Sequence, residues 1–216
     1  MAIASQSLQN MSVYTGTDNG SNNQGLLFPK LKYRFRATFL NFGVTSDGIE
    51  LTKQVMDIKR PSIDFGEVPL HVYNSTIYIA GKHSWAETSV QVRDDALGSV
   101  SKIVGQQIQK QMDMVEQASA ATAQDYKFEM HYELLDGGNG ALAPTVLESW
   151  ELYGCYIKSV DYGNMDYSSS DPATINMNIR FDNAVQSPLS AGVGIRVGRG
   201  VAGGMATGIA GIGSAG

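Results

Sequence analysis

The chain has 216 residues, of which 43% are hydrophobic and 17% are charged, so it can bury a core and is not disordered as a whole. Its formal net charge of −5 at pH 7 excludes a general basic surface for binding nucleic-acid phosphates. The single cysteine, Cys155, excludes an internal disulfide framework and fits a reducing compartment. We expect no secretory signal and no membrane span, because the chain has neither a charged start with an apolar run nor roughly 20 consecutive apolar residues.

The glycines divide the chain into three regions. Of the 24 glycines, 10 lie in residues 190–216 and 3 lie in residues 1–25. Segments of small and polar residues bury too little apolar surface to offset the conformational entropy lost on ordering. We therefore predict a flexible N-terminal arm over residues 1–25, a folded β domain over residues 26–189, and a glycine-rich C-terminal arm over residues 190–216.

Alternation of apolar and polar residues predicts strands in the first half of the domain. Residues 31–39 alternate with a period of two, and a second strand is predicted over residues 51–58. Residues 63–80 predict a long hairpin that bends near Asn74, with Pro69 at an edge or a bulge. A further half-buried strand is predicted from Thr88.

One helix is predicted over about residues 95–117. Apolar residues recur there at spacings of three and four, and the acidic pair Asp94 and Asp95 suits a helix N-terminus. The strands predicted after the helix cover residues 126–134, 147–153, 156–162 and 174–181. Seven or eight alternating strands with one helix indicate a mainly β fold, in which two packed antiparallel sheets form a sandwich or a barrel-like structure with a flanking helix.

No pattern of residues indicates catalysis. The three histidines, His71, His83 and His131, lack the ligand spacing of a zinc site, and Cys155 lies in a predicted strand, where a buried free thiol is expected. Residues 198–203 match the letters of a dinucleotide-binding fingerprint, but no strand and helix flank them. We therefore predict no catalytic residue, no cofactor and no metal ion, and a structural rather than an enzymatic function.

Residues 60–95, RPSIDFGEVPLHVYNSTIYIAGKHSWAETSVQVRDD, contain three features in a fixed order. An apolar hairpin leads into a strand that ends at Gly81 and is followed by Trp85, and an alternating strand then runs into the acidic residues at Asp94. In these features the chain resembles the tail tube proteins of contractile-tailed bacteriophages. The residues of the motif strand are Ile77, Ile79, Ala80, Gly81 and Trp85. Residues 29–35, 147–155 and 174–181 resemble the family's opening and closing strands, so the resemblance covers residues 29–185.

The resemblance implies a subunit of two packed antiparallel sheets and a flanking helix. It implies that six copies form a ring with a β-barrel as its inner wall, and that rings stack into a hollow tube through which genomic DNA is delivered. The implied partners are further copies of the chain and the sheath, baseplate tube-initiator, tail terminator and tape-measure proteins, and the implied location is the virion tail, assembled in the host cytoplasm. The hairpin residues expected to contact the next ring are Ile63, Phe65, Val68, Leu70 and Val72.

The net charge of −5 makes a ring of six copies strongly acidic. A lumen lined by carboxylates repels DNA phosphates, so the DNA slides without being held. Asp57, Asp64 and Glu67 flank the hairpin and are the candidates for this wall; solvated surface carboxylates are the alternative interpretation. Three basic residues lie on one face of a predicted strand: Lys32, Arg34 and Arg36. They either contact another protein or form a solvated surface, and both interpretations stay open.

Four other functions compete with a phage tail tube. The nearest are the tube of a type VI secretion system or of a phage-derived bacteriocin, and the tube initiator of a baseplate. A monomeric β-sandwich that binds a small ligand is the alternative from another class. An enzyme is the least favoured, because no residues are arranged for catalysis.

Overall fold

A computed structural model describes residues 29–44, 48–136 and 144–187 together with Val193. The predicted N-terminal arm, residues 1–25, lies outside the described residues. The predicted C-terminal arm, residues 190–216, also lies outside them except for Val193.

Strands predominate among the described elements. In chain order the elements are β1 (Phe35–Leu40), α1 (Gly48–Gln54), β2 (Val55–Ile58), β3 (Ile63–Val72), β4 (Ser75–Trp85), β5 (Thr88–Arg93), α2 (Ser99–Gln111), β6 (Met112–Asp113), β7 (Ala118–Ser119), α3 (Ala123–Tyr126), β8 (Phe128–Leu135), β9 (Val146–Asp161), β10 (Thr174–Arg180) and β11 (Asn183–Ser187).

Seven strands form one antiparallel sheet, in which six follow the order β1-β8-β9-β10-β5-β2 and β11 pairs with β9. The long strand β9 joins the two halves of the fold, because it pairs with β8 and β11 in its first part and with β10 in its last part. The predicted sandwich of antiparallel sheets with a flanking helix is confirmed. Among the described strands β1 and β2 do not pair with each other, so the sheet does not close into a barrel.

Strand β9 changes partners at Gly154. The φ angle of Gly154 is +67°, which glycine adopts without the steric cost that a side chain brings. A Cβ atom at this position would lie 2.2 Å from Oδ2 of Asp182. The sequence predicted two separate strands here, and the structure corrects this to one strand, because Gly154 allows the irregularity without ending the pairing.

Burial confirms the period-two pattern of the central strands. In β8 the alternate residues Phe128, Met130, Tyr132 and Leu134 are buried. The ring of Phe128 meets that of Phe42 edge-on at a centroid distance of 4.8 Å. Fully burying a large apolar side chain contributes about 1.5–3 kcal/mol. The inward residues of β5 and β10 complete this core: Thr88, Val90, Val92, Ile175, Met177 and Ile179.

Helix α2 is shorter than the predicted span of residues 95–117. Asp95 lies before the helix, and its carboxylate accepts a hydrogen bond from the backbone N–H of Val100 at 3.1 Å. At the other end the carboxylate of Asp113 accepts hydrogen bonds from the N–H groups of Val115 and Glu116, which favours a turn over a further helical turn. The side-chain amide of Gln111 bonds both backbone polar groups of Ile157 in β9, each at 2.9 Å, and so fixes the helix to the sheet.

The strand predicted over residues 51–58 is half right. Val55–Ile58 form β2, whereas Gly48–Gln54 form α1. The apolar residues Leu51, Val55 and Ile58 fit a helical spacing as well as they fit a strand, so their spacing alone does not decide between the two. Leu51 is fully buried in α1.

Candidate assembly surface

The predicted hairpin is present as a ribbon formed by β3 and β4, which among the described strands pair only with each other. Its base is fixed to the core by Trp85, which is buried, lies opposite Ile63 in the register, and contacts the ring of Phe181 at a centroid distance of 5.7 Å. Trp85 of the resemblance motif therefore anchors the ribbon to the sandwich.

A β-bulge interrupts the ribbon near its base. The register passes from Phe65 opposite His83 to Glu67 opposite Ala80, so β4 has one more residue than β3 in this interval. Bulges increase the local twist and redirect a strand. A Cβ atom on Gly81 would lie 3.0 Å from the carbonyl oxygen of Gly66. The glycine of the resemblance motif thus permits the close approach of the two backbones.

Beyond the bulge the ribbon has two chemically different faces, because side chains alternate along each strand and directly paired residues share a face. One face is entirely apolar except at Ser75, which pairs with Val72 next to the turn. The apolar residues of this face are between 44% and 55% exposed: Val68, Leu70, Val72, Ile77 and Ile79. The other face has mixed chemistry and contains Glu67, Pro69, His71, Thr76, Tyr78 and Ala80. We call the first set the apolar ribbon face.

The ribbon ends in a tight turn at Tyr73 and Asn74. The side chain of Tyr73 is fully exposed, and its φ angle is +48°. A non-glycine residue with positive φ is uncommon, and a bulky one is strained. The hydroxyl group of Ser75 donates a hydrogen bond to the carbonyl oxygen of Val72 at 3.3 Å and supports the turn.

The structure separates the five hairpin residues that the sequence predicted as a contact surface. Val68, Leu70 and Val72 lie together on the apolar ribbon face, whereas Ile63 and Phe65 precede the bulge and belong to the other face by alternation. Ile77 and Ile79, predicted only as residues of the motif strand, also belong to this surface. Their register opposite Leu70 and Val68 completes it, and cross-strand pairing was the signal that would have found them.

The three candidate acids for the lumen wall do not form one cluster. Asp64 and Glu67 lie on β3, whereas Asp57 lies on β2. All three are exposed, and none forms an ion pair with another described residue. Of the basic residues predicted on one strand face, Arg36 pairs with Glu133 on the neighbouring strand at 2.5 Å, so its charge is satisfied within the subunit.

The buried carboxylate of Glu148, which was not among the predicted site residues, joins β9 to β11 and to the segments that precede β1 and follow β2. The side chain of Glu148 is 6% exposed and accepts hydrogen bonds from Lys30 Nζ at 2.5 Å, from Trp150 Nε1 at 2.7 Å and from Gln186 Nε2 at 3.0 Å. Arg60 lies 3.8 Å away. A signal was present, because alternation places Glu148 on the same strand face as the buried Trp150.

Burial alone raises the pKa of Glu148. The hydrogen bonds from Lys30 and Trp150 and the positive charge of Arg60 outweigh this effect, so the pKa of Glu148 lies below its ordinary value. The carboxylate is therefore ionised at neutral pH and holds Lys30 and Arg60 in place.

Next to Glu148 lies a cleft of about 440 Å³, which we call the basic cleft. Its apolar walls are Phe35, Ile58 and Leu134, and its polar residues are Lys30, Lys32, Asp57, Arg60 and Tyr132. The hydroxyl group of Tyr132 is buried and has no hydrogen-bond partner among the described residues. Lys32 forms no ion pair with any of them. Burial raises the pKa of Tyr132, so the hydroxyl group keeps its proton.

The described residues contain no group of three or more His, Cys, Asp or Glu side chains that suits a metal ion. Cys155 is buried, and burial raises the pKa of its thiol to about 12, so it is a poor nucleophile near neutral pH. No helix in the described ranges is long and apolar enough to cross a membrane.

Neither a protein-family profile nor the sequence of a curated protein matches the chain. Solved structures match its fold. One is a chain in the cryo-EM structure of the anti-feeding prophage cap, the AFP tube terminating cap, with 12% identity and a TM-score of 0.57 over 79% of this chain and 99% of that chain. Another is a chain in the anti-feeding prophage baseplate, with 11% identity and a TM-score of 0.56 over 77% of this chain and 100% of that chain. At such identities the similarity establishes the fold, and it agrees with the fold that the resemblance implied.

Proposed function

We propose that this protein is a structural subunit of a phage tail tube, in which rings of six copies stack into a hollow tube that delivers DNA. The observation that carries the proposal is the apolar ribbon face, which projects from a fold shared with a tube-terminating cap. Contiguous exposed apolar surface marks interaction sites, and a two-stranded ribbon is at best marginally stable alone in water. A second copy that covers this face buries the exposed apolar surface and supports the ribbon.

Free strand edges support closure of the ring. Among the described strands, β1 pairs only with β8, β2 only with β5 and β11 only with β9, so three strands of the sheet have an edge without a strand partner. Pairing an edge of one copy with an edge of the next continues the sheet around a ring and covers the two edges that meet.

We also propose that Asp57, Asp64 and Glu67 contribute negative charge to the lumen wall. Their exposure and lack of ion-pair partners support this assignment, and the repulsion of DNA reaches about 8 Å from the wall at physiological salt. Replacing all three by Asn or Gln is expected to increase the retention of duplex DNA by assembled tubes at low salt; unchanged retention would contradict it. The further proposed partners are the sheath, tube-initiator, terminator and tape-measure proteins, and the proposed location is the virion tail.

Negative-stain electron microscopy of the purified chain over a concentration series tests the main proposal. We expect rings with six-fold symmetry and, at higher concentration, stacked tubes. A protein that remains monomeric and forms neither would refute the proposal and favour the β-sandwich binding module, which requires a saturable ligand site.

The second candidate is the tube or tube initiator of a related contractile injection system. The similarity to a chain of the anti-feeding prophage baseplate favours it. An initiator is expected to form single rings that do not stack, so the same micrographs distinguish it from a tube protein. Neighbouring genes for a sheath and a tape-measure protein would separate the phage tail from the other systems.

A further inference from the structure

The tip of the ribbon presents an isolated aromatic ring. Tyr73 is fully exposed and is held at a φ angle of +48°, although glycine or asparagine would adopt this conformation more easily. Strained residues of this kind cluster at binding positions. Tyrosine is also among the residues that most often dominate the energy of protein interfaces.

The basic cleft has the chemistry that accommodates a phenol side chain. Its apolar walls suit the body of an aromatic ring, and the cations of Lys32 and Arg60 are attracted to the face of such a ring. Tyr132 also lines the cleft and offers an aromatic surface against which a second ring can pack.

The tip cannot reach the cleft of its own subunit. Strand β3 contains 10 residues, which at a rise of about 3.3 Å per residue separates its ends by roughly 30 Å. Two cleft residues, Ile58 and Arg60, lie immediately before the base of β3 in the sequence. A Tyr73 ring in the cleft must therefore belong to another copy.

We propose that Tyr73 of one copy inserts into the basic cleft of a neighbouring copy. Different surfaces of the two copies then meet, and such a head-to-tail contact repeats to give a closed ring or a helical stack. The inference rests on the proposed function, because it requires self-assembly, and it adds the residue and the receiving site of one contact between copies. Asp57 lines the same cleft, so this contact would remove Asp57 from the lumen wall and leave Asp64 and Glu67 there.

Cross-linking in the assembled state tests the contact directly. Both variants keep Tyr73. The test variant carries Asn74→Cys at the tip and Lys59→Cys between the cleft residues Ile58 and Arg60, and the control carries Asn74→Cys and Lys102→Cys, since Lys102 is exposed on α2. A short bis-maleimide is used because a disulfide requires Cα atoms within about 7 Å, and buried Cys155 does not compete. We expect a ladder of covalent multimers from the test variant and none from the control.

Substitutions at the tip separate the contribution of the ring from that of the turn. Tyr73→Asn keeps a residue that tolerates the left-handed conformation but removes the ring, and Tyr73→Phe keeps the ring. We expect Tyr73→Asn and Tyr73→Ala to raise the concentration needed for assembly by about ten- to thirtyfold, as for truncation of an interface tyrosine. Tyr73→Phe keeps the ring and its apolar contact, so it is expected to raise this concentration by less than about fivefold.

The outcomes distinguish this inference from the function on which it rests. A wild-type protein that does not assemble refutes the proposed function. If the wild-type protein assembles but the test variant cross-links no more than the control, only the Tyr73 contact is refuted. Assembly of Tyr73→Asn at the wild-type concentration would also refute it.

Discussion

The apolar ribbon face provides the sharpest test of self-assembly. Leu70 and Ile77 lie opposite each other on this face and are 44% and 55% exposed in the isolated subunit. Full burial of such a side chain contributes about 1.5–3 kcal/mol, so covering the remaining half of each contributes about 1.5–3 kcal/mol for the pair. Since 1.4 kcal/mol is a tenfold change in an equilibrium constant, the variant with Leu70→Ala and Ile77→Ala should require about 10- to 100-fold more protein to assemble.

Sedimentation velocity over a concentration series measures this shift, and thermal unfolding checks that the monomer remains folded. The matched control is His71→Ala with Thr76→Ala, because these two residues also lie opposite each other, but on the other face of the same ribbon. We expect the control to assemble at the wild-type concentration. If the Leu70→Ala, Ile77→Ala variant also does so, then the apolar ribbon face is not an assembly contact.

Three further predictions concern the subunit itself. Gly154→Ala should destabilise the fold by about 1–3 kcal/mol in denaturant unfolding, because alanine is strained at positive φ and its Cβ would clash with Asp182; wild-type stability would contradict this. Cys155, with a pKa raised to about 12, should react with a thiol reagent at pH 8 only after unfolding, and a rapid native reaction would show that the thiol is accessible. The pKa of Glu148 is lowered in the folded state from its ordinary value of 4.5. Its ion pair with Lys30 should therefore stabilise the protein at pH values above 4.5 and lose this effect as the pH falls below 4.5. The difference in the free energy of unfolding between wild type and Glu148→Gln should shrink from pH 7 to pH 3.5, and a constant difference would contradict the assignment.

The sequence by itself predicted the elements whose signal is local. A period of two along β5, β8 and β10 required one buried face, and burial in the structure confirms it. The long hairpin was predictable because two apolar runs flank a turn sequence. The lack of a recognisable catalytic pattern favoured a structural function, and the sequence alone did not decide which one.

Tertiary structure decided everything that depends on residues far apart in the chain. Lys30 and Glu148, which meet beside the basic cleft, are separated by 118 positions, so no local pattern joins them. Helix α2 ends where Gln111 bonds to β9 and Asp113 forms a turn, although the apolar spacing continues to Val115. Periodicity reports which face of a strand is buried; strand partners, free edges and clefts depend on how distant segments pack, and only the folded chain determines them.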